Sequence, residues 1–172
     1  LSTAEEFITE LVEISDIEKG TINPKRSDFS VQLLFDDLKE SYHGLALQRD
    51  FEFRSCECSA VINSDRKLLR HIVQNFLSNA FRYTQTGRVL LGARRSDTAV
   101  RIEVWDTGPG IPETKLKDIF DEFVRLDSSS TKGFGLGLSI VSRLSQILGY
   151  KVNVRSWAGY GSVFSVTVPL ST

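Results

Sequence analysis

Two groups of residues in this 172-residue chain have types and spacings that could do chemistry. The first is Lys132-Gly-Phe-Gly-Leu-Gly-Leu138, three alternate glycines set directly before an apolar-periodic stretch from Leu138 to Leu148. Glycines remove the Cβ atoms that keep a backbone away from a ligand, and a helix start offers unpaired N–H groups and a positive dipole end to an anion. A flexible loop with an ordinary helix start would use the same residues, so the run alone does not decide. The second group is His71, Asn75 and Asn79, recurring every four residues, with Arg82 three further on. That spacing puts all four on one side of a helix. Asparagine is a middling helix former, so two of them mid-helix have a cost; the stripe is either a solvated face or a ligand face.

A third element supplies a carboxylate. Val100 to Trp105 alternates apolar and polar residues and runs straight into Asp106-Thr-Gly-Pro-Gly-Ile-Pro112. A turn rich in Gly and Pro there holds Asp106 at the end of a strand, where ligand groups often sit. Several familiar nucleotide loops are excluded by detail. No Gly-x-x-x-x-Gly-Lys-Ser/Thr string occurs, the glycine spacing is not that of a dinucleotide-binding turn, and the His-Arg-Asp and Asp-Phe-Gly strings of protein kinases are missing.

The elements that must position these groups are legible from periodicity. Ala4, Phe7, Ile8, Leu11, Ile14 and Ile17 predict an amphipathic helix stopped by Lys19-Gly20. Its apolar stripe has little of this chain to bury against, as in the tail of a longer helix. Thr21 to Asp28 reads as a short strand or extended connection, and Ser30 to Leu47 as a helix with Val31, Leu34, Leu38 and Leu45 inward. Short strands follow near Phe51–Arg54 and Ala60–Asn63. Asp65 caps a long helix to about Tyr83, with Leu68, Leu69, Ile72, Val73, Phe76, Leu77 and Ala80 buried. Val89–Arg94 and Val100–Trp105 form a hairpin pair, each with one buried face, and a short helix bears Ile119, Phe120 and Phe123. Lys151–Arg155 and Ser162–Val168 close the chain around the turn Trp157 to Gly161. Pattern alone specifies an α+β class.

Composition bounds the partners. One domain with a sizeable core is expected at this length, and no internal repeat appears. A net charge of −1 and a pI near 6.2, without a basic cluster interleaved with aromatics, argue against nucleic acid. No apolar stretch approaches the roughly 20 residues of a membrane span, so no direct membrane contact and a cytoplasmic setting are expected for this segment. Cys56 and Cys58 supply too few ligands for zinc and read as strand cysteines.

The ordered set of polar helix face, Asp-x-Gly-x-Gly turn, phenylalanine pair and glycine run, all within residues 71–138, resembles the catalytic and ATP-binding domain of sensor histidine kinases. That domain belongs to the superfamily shared with type II topoisomerases, the large heat-shock chaperone and mismatch-repair ATPases. Residues 71–84 match its N box, 106–112 its first glycine box, 120–123 its phenylalanine box and 133–138 its second. Leu11 to Gly20 resembles the end of the second dimerisation helix with its linker. The implied organisation is therefore 1–20 helix end and linker, 21–172 catalytic domain. The implied architecture is a two-layer α/β sandwich of Bergerat type, a mixed, mostly antiparallel sheet packed against three helices.

The resemblance also implies roles. Asn79 and Asn75 would supply side-chain oxygens to Mg²⁺ and the phosphates of ATP, Arg82 would offset the triphosphate charge, and Tyr83 would lie against the adenine or ribose. Asp106 would accept from the adenine amine, excluding guanine, with Gly108, Gly110 and Ile111 beside the base. Lys132, Gly133, Phe134, Gly135, Leu136, Gly137 and Leu138 would bind the phosphates and hinge a lid, residues 124–132, short for the family, with Arg125 also in reach. Phe120 and Phe123 would pack the lid base. Neither His43 nor His71 sits in the family's acceptor pattern, so the γ-phosphate would be presented to a histidine on an upstream dimerisation domain of a homodimer, and passed to a response-regulator receiver domain. The stretch 86–112 resembles hybrid kinases, in which a receiver follows. Two alternatives compete: a non-catalytic signalling module of the same fold, against which the intact Asn75, Asn79, Asp106 and glycines argue, and a chaperone- or topoisomerase-type ATPase, against which His71 in the glutamate-bearing region and the short lid argue.

Overall fold

The computed structural model describes residues 3–121 and 136–172, the side chains of 3–7, 9, 10 and 13 excepted. Its elements follow the order α1 (Thr3–Glu18), β1 (Ser27–Ser30), α2 (Val31–Ala46), β2 (Asp50–Ser55), β3 (Val61–Ser64), α3 (Arg66–Tyr83), β4 (Thr86–Arg95), β5 (Ala99–Asp106), α4 (Glu113–Leu116), α5 (Gly137–Leu148), β6 (Lys151–Trp157) and β7 (Gly161–Pro169). A five-stranded sheet has the order β2-β4-β5-β7-β6. Only the β2–β4 pair is parallel; the other three are antiparallel. β1 and β3 form a separate two-stranded antiparallel ribbon. This is the mixed, mostly antiparallel α+β architecture expected.

One face of the sheet is apolar because its strands alternate in phase. Val89 and Leu91, Val100, Ile102 and Val104, and Phe164, Val166 and Val168 are all buried against α2, α3 and α5. α3 lies centrally, with Leu69, Ile72, Val73, Phe76 and Leu77 fully enclosed. Leu68, expected on that buried face, is only partly covered. Its start is held by Asp65, whose Oδ1 accepts from the Leu68 amide at 3.0 Å and whose Oδ2 accepts from the Lys25 amide at 2.7 Å. α5 ends at Gly149, left-handed at φ 73°, and α1 packs on α5, with Ile14 buried and Glu18 3.3 Å from Arg143.

Several sequence-based expectations need correction. Leu45 is 42 % exposed, and the buried face of α2 is completed by Phe35 and Tyr42. The aromatic rings win because Tyr42 packs edge-on to Phe81 at 4.9 Å and its hydroxyl reaches Ser78 at 2.6 Å. Cys56 and Cys58 are not in a strand; they lie in the connection after β2. The short helix ends at Leu116, so Ile119 and Phe120 fall in the turns beyond it, Ile119 buried nonetheless. Phe123 lies outside the described residues. Finally, Glu103, a polar position of an alternating strand, is 3 % exposed, since Arg94, Arg101 and Trp105 fold over it.

Candidate functional site

α3 carries the polar stripe as its spacing dictates: His71, Asn75, Asn79, Arg82 and Tyr83 are all half-buried beside the fully buried apolar face. One turn-to-turn contact stabilises the stripe, the Asn75 amide donating to the His71 carbonyl at 3.0 Å. Among the described residues the Asn79 amide has no hydrogen-bond partner, which leaves its carbonyl oxygen available.

The last glycine of the run meets this stripe directly. A Cβ built on Gly137, the first residue of α5, would lie 2.6 Å from Asn75 Oδ1, far inside contact distance. A side chain here would force the Asn75 amide or the start of α5 to shift. Leu136, the residue before the helix, has no side chain that caps it; it is buried, and its carbonyl accepts from the Ser139 hydroxyl at 2.7 Å. Leu138 is buried in the core. Lys132, Gly133, Phe134, Gly135, Arg125 and the rest of the expected lid lie outside the described residues.

The Asp106 turn closes on the opposite end of α3. The Gly108 amide donates to Asp106 Oδ1 at 2.9 Å, and a Cβ on Gly108 would lie 2.9 Å from that oxygen and 3.2 Å from the Tyr83 carbonyl. Gly110 is left-handed at φ 70° and faces the Trp157 carbonyl too closely for any side chain. Both glycines thus have a packing role of their own: they let the turn press against α3 on one side and the β6–β7 turn on the other. Ile111 is 3 % exposed, an anchor whose amide donates to Ser156 Oγ at 2.7 Å.

Burial pushes the Asp106 carboxyl above its ordinary value, although the backbone amides of Gly108 and Ser162 donate to it and pull the other way. Beside it the Thr84 hydroxyl is buried and has no hydrogen-bond partner among the described residues, an unusual cost for a native interior. A partly desolvated acceptor and an orphaned hydroxyl at one turn are what a polar ligand edge could satisfy.

Sequence reading missed Ser156 and Ser162. The register places Ser162 opposite both Asp106 and Ser156, and the two hydroxyls lie 2.8 Å apart under the turn. Alternation marks them as inward-facing but names no partner; only the pairing of β5, β7 and β6 brings them to the carboxylate.

The side chains present fit a hard cation. Asn75 and Asn79 offer neutral amide oxygens one turn apart, and the space in front of Asn75 Oδ1 is a cradle that a Cβ at position 137 would fill. Among the described residues no cluster of three or more His, Cys, Asp or Glu could hold a metal by itself.

A family profile described as histidine kinase-, DNA gyrase B- and HSP90-like ATPase matches residues 64–172. The chain is 32 % identical over 95 % of its length to the autoinducer 2 sensor kinase/phosphatase LuxQ of Vibrio vulnificus, covering 20 % of that protein. It is 29 % identical over 95 % of its length to the sensor histidine kinase RcsC of Escherichia coli, covering 18 % of it. It thus spans about a fifth of the length of these relatives. Among solved structures, full-length ShkA in complex with AMPPNP superposes with a TM-score of 0.88 at 31 % identity, over 97 % of this chain and 36 % of that one. The nucleotide-free catalytic domain of histidine kinase ThkA superposes with a TM-score of 0.71 at 27 % identity, over 84 % of this chain and 97 % of that one.

Proposed function

Since the chain belongs to the histidine kinase-, DNA gyrase B- and HSP90-like ATPase family, and resembles its sensor-kinase branch, we propose that it is the ATP-binding catalytic domain of a sensor histidine kinase. On this reading it presents the γ-phosphate of ATP to a histidine on a dimerisation domain, and α1 with its linker, residues 1–20, is the end of a helix of that domain. A receiver domain, on the same or another chain, is the eventual destination of the phosphate. Among the described residues no helix is long and apolar enough to cross a membrane.

The observation that carries the reading is the span of α3. Gly137 meets it at Asn75 and the Asp106 turn meets it at Tyr83 and Thr84, eight residues or about 12 Å along the axis. That separation suits a ligand with a base at one end and phosphates at the other. Asp106 Oδ accepts from an exocyclic amine of the base; a guanine would offer it a carbonyl oxygen and be rejected. Asn79 and Asn75 would hold Mg²⁺, which would neutralise phosphate charge there. Arg82, at the end of α3, adds positive charge to the same side, and Tyr83 offers its ring to the nucleoside. Phosphate binding falls, by the family resemblance, to Lys132 and the glycines 133, 135 and 137. The chain positions and polarises; the attacking histidine and its base lie on the other domain.

Calorimetric titration with ATP, with and without Mg²⁺, on the wild type, Asn79→Ala and Asp106→Asn tests this. Mg²⁺-dependent binding that both substitutions weaken at least about tenfold is expected. A folded wild type that binds no nucleotide would sink the proposal.

A further inference from the structure

The helices cover one face of the five-stranded sheet, and no described element covers the other. Outward positions there alternate with the core residues: Arg54 on β2, Arg88 and Arg94 on β4, Arg101 on β5, and Lys151 and Arg155 on β6. Six cations share this face with three carboxylates, Asp50 at the start of β2, Glu52 and Glu103, in a chain whose net charge is −1. Glu52 and Glu103 are each already divided between two guanidiniums. Glu52 lies 2.6 Å from Arg54 and 3.8 Å from Arg88, and Glu103 lies 3.2 Å from Arg94 and 2.7 Å from Arg101. Among the described residues Lys151 and Arg155 have no carboxylate partner.

These groups are held in place. Glu103, though on the open face, is buried, and it also accepts from the Trp105 indole N–H at 2.8 Å. Trp105 stacks nearly parallel to Trp157, centroids 6.4 Å apart, and the Arg155 guanidinium lies 5.8 and 5.9 Å from the two ring centres. Between this ladder and Lys151 runs a shallow trough floored by Asn153, Ser165 and Thr167, short side chains that donate and accept hydrogen bonds. Trp157 is 47 % exposed.

We propose that this open sheet face is a docking surface for a partner protein that presents a cluster of carboxylates. Charge complementarity argues for it: surplus guanidinium and ammonium groups, spaced by strand separations of about 4.8 Å, meet acidic side chains as bidentate or point pairs. Composition selects a protein over other polyanions. Exposed Trp with Arg is the signature of binding hot spots between proteins, five of the six cations are arginine, and the trough offers hydroxyl and amide groups to a backbone. Pre-organisation by Glu103 and the paired indoles lowers the ordering cost of binding. The proposal is independent of nucleotide binding, which uses the other side of the sheet.

The test is an NMR titration of the isotopically labelled chain with an oligoglutamate peptide, then with oligothymidylate and with phosphatidylserine vesicles. Saturable shifts confined to outward residues of β4 to β7 are expected with the peptide. The double charge reversal Lys151→Glu and Arg155→Glu, and separately Trp157→Ala, should weaken binding about tenfold. Lys39→Glu, on the exposed side of α2, should leave it unchanged, and all variants should keep wild-type melting and ATP affinity. Shifts spread over the whole surface, equal loss in the Lys39 variant, or stronger binding to oligothymidylate or vesicles than to the peptide would overturn the proposal.

Discussion

Gly137 and Asn75 are in contact across the α3–α5 interface, the glycine's missing Cβ leaving just enough room for the amide oxygen, 2.6 Å from where that Cβ would stand. Alanine at 137 must displace Asn75 or the start of α5. Helix propensity favours alanine over glycine by up to about 1 kcal/mol, so stability should hold or rise while the site is disturbed. Gly137→Ala should weaken Mg-ATP binding about tenfold or more with an unchanged or higher Tm. Calorimetry paired with thermal melting checks this; unaltered affinity would show that the contact does not shape the site.

Asp106 is held protonated more tightly in the fold than in the unfolded chain, because burial outweighs the amides that donate to it. A carboxyl raised in this way contributes stability below its unfolded pKa and loses that contribution as pH rises through its folded pKa. Asp106→Asn should therefore match or exceed the wild type at neutral pH, and the difference should vanish in acid. Urea denaturation between pH 3 and 7 reads this, while ATP affinity at pH 7 falls about tenfold. A loss of more than about 1 kcal/mol at pH 7 would contradict it.

Glu103 behaves oppositely. Burial raises its carboxyl, but the Trp105 N–H, Arg101 and Arg94 more than offset that, so its pKa is lowered. Its contribution is present above the unfolded pKa and is lost as pH falls through the folded one. Glu103→Gln should cost about 1–2 kcal/mol at neutral pH, with the gap from wild type closing in acid. Denaturant melts at pH 7 and pH 3 distinguish this from a pH-independent packing defect.

Asp65 serves two chains of contact, the α3 N-terminus and the linker amide of Lys25. Asp65→Ala should cost about 1–2 kcal/mol and Asp65→Asn appreciably less, because the amide oxygen still accepts from Leu68. Chemical denaturation ranks the three proteins; equal losses in both variants would argue against capping.

What was legible in the sequence is local. The 3.6-residue recurrence of apolar side chains defined α3 and α5, Asp65 announced the cap, and the placement of Asn75, Asn79 and Asp106 on a helix face and a strand end needed no partner to be seen. Alternation also identified β5, β6 and β7, because a pleated strand shows its two faces in its own residues. Leu45 misled because helical spacing puts it on the same side as Leu38, whereas the wider ring of Tyr42 filled the space.

Tertiary structure decided everything that depends on which strand lies beside which. The parallel pairing of β2 with β4, the meeting of Ser162 with Asp106, and the closure of Gly137 on Asn75 join residues far apart in the chain, and the burial of Glu103 depends on β4 lying beside β5. Period-two patterning states which way a side chain points and is silent on its neighbour across the ladder. Register is set only when the whole apolar face packs under α2, α3 and α5 at once.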